Sequence, residues 1–282
     1  LALSVIIVIA VIYMRRNIAP ERINSPYFRN GRYTDLDPDA TSGKGFLDVL
    51  KWQLFSKKDP PAVEGATDAC PESVLISPDK LDAPEGYARI TWLGHSSVWI
   101  SAKNKGEAVT IVTDPVWTTP AFVIKRRSKL PIDPENLPRA DAVLISHAHY
   151  DHMNVASLCQ IQKKSPGVLF IMPDGSRLLG VNAGLSNIKT LEWWDKTQVK
   201  YAEIESLPAR HWCNRTLADR NQYHWASYLI KISGKNIFFG GDTGYSAHFK
   251  KINETLGAGF DACLMPIGAY ATRWFMQSMH LN

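Results

Sequence analysis

The chain has 282 residues, 45% of them hydrophobic and 21% charged, with a formal charge of +5. This excludes a long disordered tract and leaves room for one large domain or two small ones; the basic residues are interspersed with acidic ones, so no nucleic-acid footprint is visible. Four cysteines, Cys70, Cys159, Cys213 and Cys263, lie far apart without a Cys-x-x-Cys pair and read as free thiols of a reducing compartment.

The first element is apolar. Residues 1–14 carry only Ser4 and Tyr13 as interruptions and open on Leu1, so they read as part of a longer hydrophobic segment, a partial transmembrane anchor. Tyr13-Met14-Arg15-Arg16 lacks the small residues of a cleavage site, and Arg15, Arg16 and Arg22 would place the rest of the chain in the cytoplasm. Residues 15–86 form an arm rich in Pro, Gly and Asp, with one helical stretch from Gly45 to Phe55. Phe46, Leu47, Leu50, Leu54 and Phe55 make its apolar stripe. Lys44, Lys51, Lys57 and Lys58 flank it, so it could rest on an anionic bilayer, but packing on its own domain is the preferred reading.

From Tyr87 the pattern changes. Strands are predicted at Tyr87–Leu93, Ser97–Ser101 and Val109–Thr113, with a hairpin turn at Lys103–Glu107. Then strands and helices alternate: a buried strand at Ala142–Ser146, a helix at Val155–Lys164, a strand at Val168–Met172 and a helix at Ser176–Ala183. Strands follow at Tyr201–Leu207, Ala226–Ile232 and Asn236–Phe239, a helix near Ala247–Leu256 and a strand at Ala262–Met265. The fold class is α/β, mixed sheets covered by helices, and residues 87–282 form the main domain. His280-Leu281-Asn282 closes the sequence without a helix end or turn signal, so a further C-terminal piece is expected.

The chemistry centres on His147-x-His149-x-Asp151-His152, directly after a buried strand. Residues two apart on extended chain point to the same side, so His147 and His149 can grip one ion; Asp151 and His152, at the turn into the next helix, can face a second. Imidazole and carboxylate suit zinc, and iron or manganese as well. Asp242, in Gly240-Gly241-Asp242-Thr243-Gly244 after an apolar strand, can be aimed inward by a glycine turn and bridge both ions. His211, after another strand, is the expected third histidine of the first ion. Asp114 and His95 sit at strand ends where they could hold a ligand side chain. His224 and His248 read as surface or structural, and Trp193-Trp194 as core or rim.

Several segments together carry a resemblance: Trp92-Leu93-Gly94-His95-Ser96-Ser97, Thr113-Asp114-Pro115, the His147–His152 run, His211-Trp212-Cys213, Gly240–Tyr245, Pro266-Ile267-Gly268-Ala269-Tyr270 and Arg273-Trp274-Phe275-Met276. In this order, from Tyr87 to Asn282, they resemble the N-acylphosphatidylethanolamine-hydrolysing phospholipase D family of the metallo-β-lactamase superfamily. The resemblance implies a C-terminally truncated αββα sandwich with two Zn2+. His147, His149 and His211 would hold one ion, Asp151 and His152 the other, with Asp242 bridging both, and Tyr150 and His280 would meet the substrate. Ala271-Thr272 replaces the family's usual Glu-Pro, and the family's last zinc-binding histidine falls beyond Asn282.

The expected function is zinc-dependent hydrolysis of N-acylphosphatidylethanolamine-type phospholipids at a membrane, giving phosphatidic acid and an N-acylethanolamine. Two adjacent dications would acidify a water for attack on phosphorus, with Asp242 orienting it and His280 meeting the phosphate or the departing alkoxide; no protein nucleophile is required. The alternatives are another hydrolase of the superfamily, a lactonase or nuclease, or a membrane-tethered metal-binding protein without catalysis. Nucleic acid is not an expected partner.

Overall fold

The computed structural model describes residues 25–36, 46–55, 73–118, 126, 128–216, 218–257, 259–269 and 272–281. A short hairpin, β1 (Phe28–Arg29) and β2 (Arg32–Tyr33), precedes helix α1 (Phe46–Phe55). A six-stranded sheet follows, in the order β3 (Ala88–Gly94), β4 (Ser97–Asn104), β5 (Glu107–Thr113), β6 (Ala142–Leu144), β7 (Leu169–Pro173) and β8 (Ile188–Leu191). Its first three strands are antiparallel, and Lys105-Gly106, both at positive φ, form the β4–β5 turn that matches strand twist. Beyond β5 the pairing is parallel, which needs crossovers; helices α2 (Val155–Lys164) and α3 (Arg177–Asn182) supply two of them.

The second sheet contains β9 (Lys196–Val199), β10 (Ala202–Leu207), β11 (Ser227–Ile232) and β12 (Lys235–Phe239), antiparallel in chain order. Helix α4 (His248–Leu256) then carries the chain to β13 (Ala262–Leu264), parallel to β12, and helix α5 (Arg273–Met276) follows. Alternation along these strands explains the layering. Tyr228, Ile230, Ile237 and Phe239 enter one large core with Ile100, Val112, Leu144 and Phe170 of the first sheet, whereas Leu229 and Phe238 turn the other way and pack on Ile252 of α4. Where both faces of this sheet are covered, in the middle of β11 and the end of β12, Tyr228–Ile230 and Ile237–Phe239 read as unbroken apolar runs. The result is the expected α/β sandwich of two mixed sheets between helices.

The membrane anchor expected over residues 1–14 is not supported, and the placement inferred from it falls with it. Among the described residues no helix is long and apolar enough to cross a membrane, and residues 1–14 lie outside those described. From the stretch expected as an arm before the hydrolase domain, Tyr33 and Leu81 join the main core. Helix α1 stacks Trp52 on Phe275 of α5 at 4.9 Å while Leu50 and Leu54 stay exposed. Strands β8 and β9 and hairpin β1–β2 escaped the sequence reading, being short and poorly alternating. Cys159, Cys213 and Cys263 are free thiols; Cys70 lies outside the described residues.

Candidate metal centre

The C-terminal ends of β5 and β6 in one sheet and of β10 and β12 in the other meet at one end of the sandwich. Asp114 follows β5, the run His147–His152 follows β6, His211 lies just beyond β10 and Asp242 just beyond β12. The histidine run closes as a turn, with His152 and Met153 donating backbone N–H groups to the His149 carbonyl. Asn154 then caps α2 through its side-chain oxygen, 3.0 Å from Ser157 N. Gly241 stands at φ 56, and a Cβ there would lie 2.5 Å from that of Ser146, so the two loops touch through glycine.

The loops bring the six residues expected as metal ligands, and His280, expected to meet the substrate, into one cluster. His147 Nε2 lies 2.8 Å from His149 Nδ1, and His211 Nε2 lies 3.4 Å from the same atom. On the other side, Asp242 Oδ2 lies 3.3 Å from His152 Nε2, 3.8 Å from His211 Nε2 and 3.8 Å from His280 Nδ1. Asp151 Oδ2 is 3.7 Å from His152 Nε2 and 3.2 Å from His95 Nε2. Four overlapping groups can each hold a cation: His147–His149–His211, His147–His152–Asp242, His211–Asp242–His280 and His95–Asp151–His152. Two ligand atoms on a tetrahedral ion with bonds near 2.0–2.1 Å are roughly 3.3 Å apart, so these separations suit small divalent ions. The buried His152 Nε2 and His280 Nδ1, without hydrogen-bond partners among the described residues, fit the same cations.

A layer of hydrogen bonds sets the tautomers. His152 Nδ1 donates to Asp114 Oδ2 at 2.7 Å, and His211 Nδ1 donates to the Met279 carbonyl at 3.0 Å. Ser146 Oγ donates to Asp114 Oδ2 at 2.6 Å and is left to accept from His147 Nδ1 at 2.9 Å. Each of these imidazoles therefore carries a proton on Nδ1 and turns its Nε2 inward. Asp114, fully buried and at φ 34, also accepts from Ser146 N at 2.7 Å, so one carboxylate supports both halves of the cluster.

Electrostatics divides the centre. Burial, aided by neighbouring histidines, holds His147 well below the ordinary histidine value, and burial does the same for His211; burial lowers His149 to about 4. These three are neutral donors at pH 7. Burial also opposes charge on His152, but the carboxylates of Asp242, Asp151 and Asp114 outweigh it and hold that imidazole well above its usual value. Burial would raise Asp151 and Asp242, yet His152 and its neighbours keep both well below the carboxylate range. A bound cation would take over the positive charge that a proton on His152 otherwise supplies among the carboxylates.

Tyr150 stands at the rim, its ring under the Arg215 guanidinium at 3.9 Å and its hydroxyl donating to the Arg215 carbonyl. Arg215 Nη1 donates to the carbonyls of Ala148 and Met153, each at 3.0 Å, bracketing the histidine run. Neither this clamp nor the Met279 carbonyl was foreseen: backbone acceptors carry no residue-type signal, and Arg215 lies far from the run in sequence. His224 and His248 are buried rather than superficial, His224 among Tyr33, Trp193 and Trp225, His248 against Ser246 and Thr243.

Residues 109–282 match the family model of the Beta-lactamase superfamily domain. The chain is 35% identical, over 90% of its length and 75% of the relative's, to the N-acyl-phosphatidylethanolamine-hydrolyzing phospholipase D 1 of Caenorhabditis elegans. It is also 35% identical to the mitochondrial N-acyl-phosphatidylethanolamine-hydrolyzing phospholipase D of Saccharomyces cerevisiae, over 68% of this chain and 42% of that one. Among solved structures it is similar to an isothiocyanate hydrolase from Delia radicum gut bacteria, with TM-score 0.53 and 17% identity over 68% of this chain and 76% of that one, a likeness of fold.

Proposed function

Because this chain belongs to the N-acyl-phosphatidylethanolamine-hydrolysing phospholipase D family of the β-lactamase superfamily, and is thereby a metal-dependent hydrolase, we propose that it is a zinc phosphodiesterase acting on N-acylated phosphatidylethanolamines at a membrane surface. The products are phosphatidic acid and an N-acylethanolamine. The observation that carries the reading is Asp242 Oδ2 standing between His152 Nε2 and His211 Nε2, with three neutral imidazoles on one side and a second carboxylate on the other.

In this reading His147, His149 and His211 would hold one ion, Asp151 and His152 the other, with Asp242 placed to serve both. Zinc ions held there would supply an acidified water and positive charge toward the phosphoryl oxygens. The residues of the chain do the rest. Asp242 orients the attacking water, and His280, partly exposed beside Asp242, meets the phosphate or the departing alkoxide. Tyr150 lies against the substrate at the rim. Trp92, Tyr245 and Ile267, large and exposed on loops and strand ends, offer apolar surface to a lipid.

The test is incubation of the full chain with vesicles of N-acylated and ordinary phospholipids, and with lactone and RNA substrates, following products by mass spectrometry. The expected products are phosphatidic acid and N-acylethanolamine from the N-acylated lipid alone, absent with Asp242→Ala. Opening of lactones or cutting of RNA in an Asp242-dependent way, with every lipid intact, removes this substrate. Two bound ions without any turnover would make the protein a binder.

A further inference from the structure

The loop between β3 and β4 is built to hold His95 against Asp151. Strand β3 bulges between Trp92 and Gly94, and the next two residues turn left-handed, Gly94 at φ 109 and His95 at φ 53. A residue with a Cβ enters that region at a cost, and such positions concentrate where function requires them. Three contacts keep the loop there. Trp92 Nε1 donates to the His95 carbonyl at 2.7 Å, and Arg126 donates to the carbonyls of Val116 at 2.8 Å and Leu93 at 3.3 Å. A Cβ at Gly94 would fall 2.3 Å from Arg126 Nη2, so glycine leaves room for this brace.

The strained backbone brings His95 Nε2 to 3.2 Å from Asp151 Oδ2 and the imidazole ring to 5.1 Å from that of His152. The His95 side chain remains 42% exposed and that of Asp151 40%, so this is not a core contact that packing would produce. Asp151 sits on an open turn, where its carboxylate could otherwise rotate away from His152 Nε2, 3.7 Å distant.

We propose that His95 is a positioning residue: its Nε2–H donates to Asp151 Oδ2, fixes that carboxylate toward His152, and so sets the affinity of the second of the two cation positions. The inference rests on the two-ion reading above. Outer partners that orient a ligand side chain typically govern metal affinity by about 10–100-fold.

The test uses the full chain, stripped with a chelator and titrated with Co2+, following visible absorption and metal content. His95→Gly suits the left-handed backbone and keeps the fold. It is expected to bind the first cobalt as the wild type does and the second roughly 10–100-fold more weakly. His95→Gln, whose amide can donate to the same oxygen, recovers most of that loss. Wild-type affinity and spectrum for both ions in His95→Gly overturns the proposal, as does equal loss of both ions in both variants. A wild-type protein that holds a single cobalt at saturation overturns it together with the two-ion reading. Two cobalts in a wild type that cleaves no lipid remove the substrate alone and leave the role of His95 standing on the titrations.

Discussion

The Nδ1 proton of His152 is given to Asp114 across 2.7 Å, between two side chains that have no solvent contact. Asp114 is also the acceptor for Ser146, which accepts from His147, so a single buried carboxylate orients one imidazole in each half of the centre. Asp114→Ala should therefore weaken both ions by about 10–100-fold. It should also cost about 3 kcal/mol of stability, since it leaves buried partners unsatisfied. Metal titration and urea unfolding read the two effects separately. Asp114→Asn, which keeps an acceptor oxygen, should retain most of the stability.

Gly241 lets the loop carrying Asp242 lie on Ser146. At φ 56, with a Cβ position only 2.5 Å from the serine Cβ, alanine meets both backbone strain and a backbone-anchored neighbour. Gly241→Ala is expected to cost about 1–3 kcal/mol and to lower metal content, because Ser146 is the link to His147. A variant with wild-type melting temperature and metal content would show that the loops are not coupled through this contact.

His224 predicts a pH dependence independent of any metal. Its ring is fully buried, stacked on Tyr33 at 4.5 Å and near Trp193 at 4.3 Å, and neither nitrogen has a hydrogen-bond partner among the described residues. Burial lowers its pKa to about 3, whereas in the unfolded chain it titrates near 6.5. Between these values the unfolded state binds the proton and the folded state does not, so stability falls as pH falls. The loss attributable to His224 is roughly 2 kcal/mol at pH 5 relative to pH 8. His224→Phe should remove that part of the acid sensitivity at little cost at neutral pH. Unfolding in urea at pH 8 and pH 5 checks it; identical slopes in wild type and variant would contradict the burial argument.

Much of the fold was legible where hydrophobic periodicity was strong. Helix Val155–Lys164 matched its expected ends, and strands such as Ser227–Ile232 and Lys235–Phe239 lay within a residue or so of the prediction. The cluster was legible because its histidines and carboxylates crowd into one short run and into glycine-flanked or strand-end positions. What stayed hidden was whatever acts through backbone or through distance in sequence: the Met279 carbonyl on His211, the Arg215 clamp and the role of Ser146 as a relay. The apolar N-terminal run illustrates the opposite error. Composition alone suggested an anchor, but among the described residues no helix is long and apolar enough to cross a membrane.

Asp242 is the residue on which the two halves converge. Asp242→Asn keeps the shape and removes the charge that faces His152, His211 and His280. Hydrolysis should drop by more than about 100-fold, beyond the cost of an outer partner alone, with the metal content falling below two per chain. Full activity in Asp242→Asn would displace this residue from the centre.

The central claim is hydrolytic attack on phosphorus by water oriented in this centre, and the most direct measurement is the fate of the water oxygen. Zinc-loaded protein is incubated with N-acylphosphatidylethanolamine vesicles in H2 18O, and both products are analysed by mass spectrometry. The account predicts one 18O in the phosphate of phosphatidic acid, none in the N-acylethanolamine, and no labelled product after chelation or with Asp242→Ala. Label in the N-acylethanolamine, or turnover that survives chelation and Asp242→Ala, would contradict it.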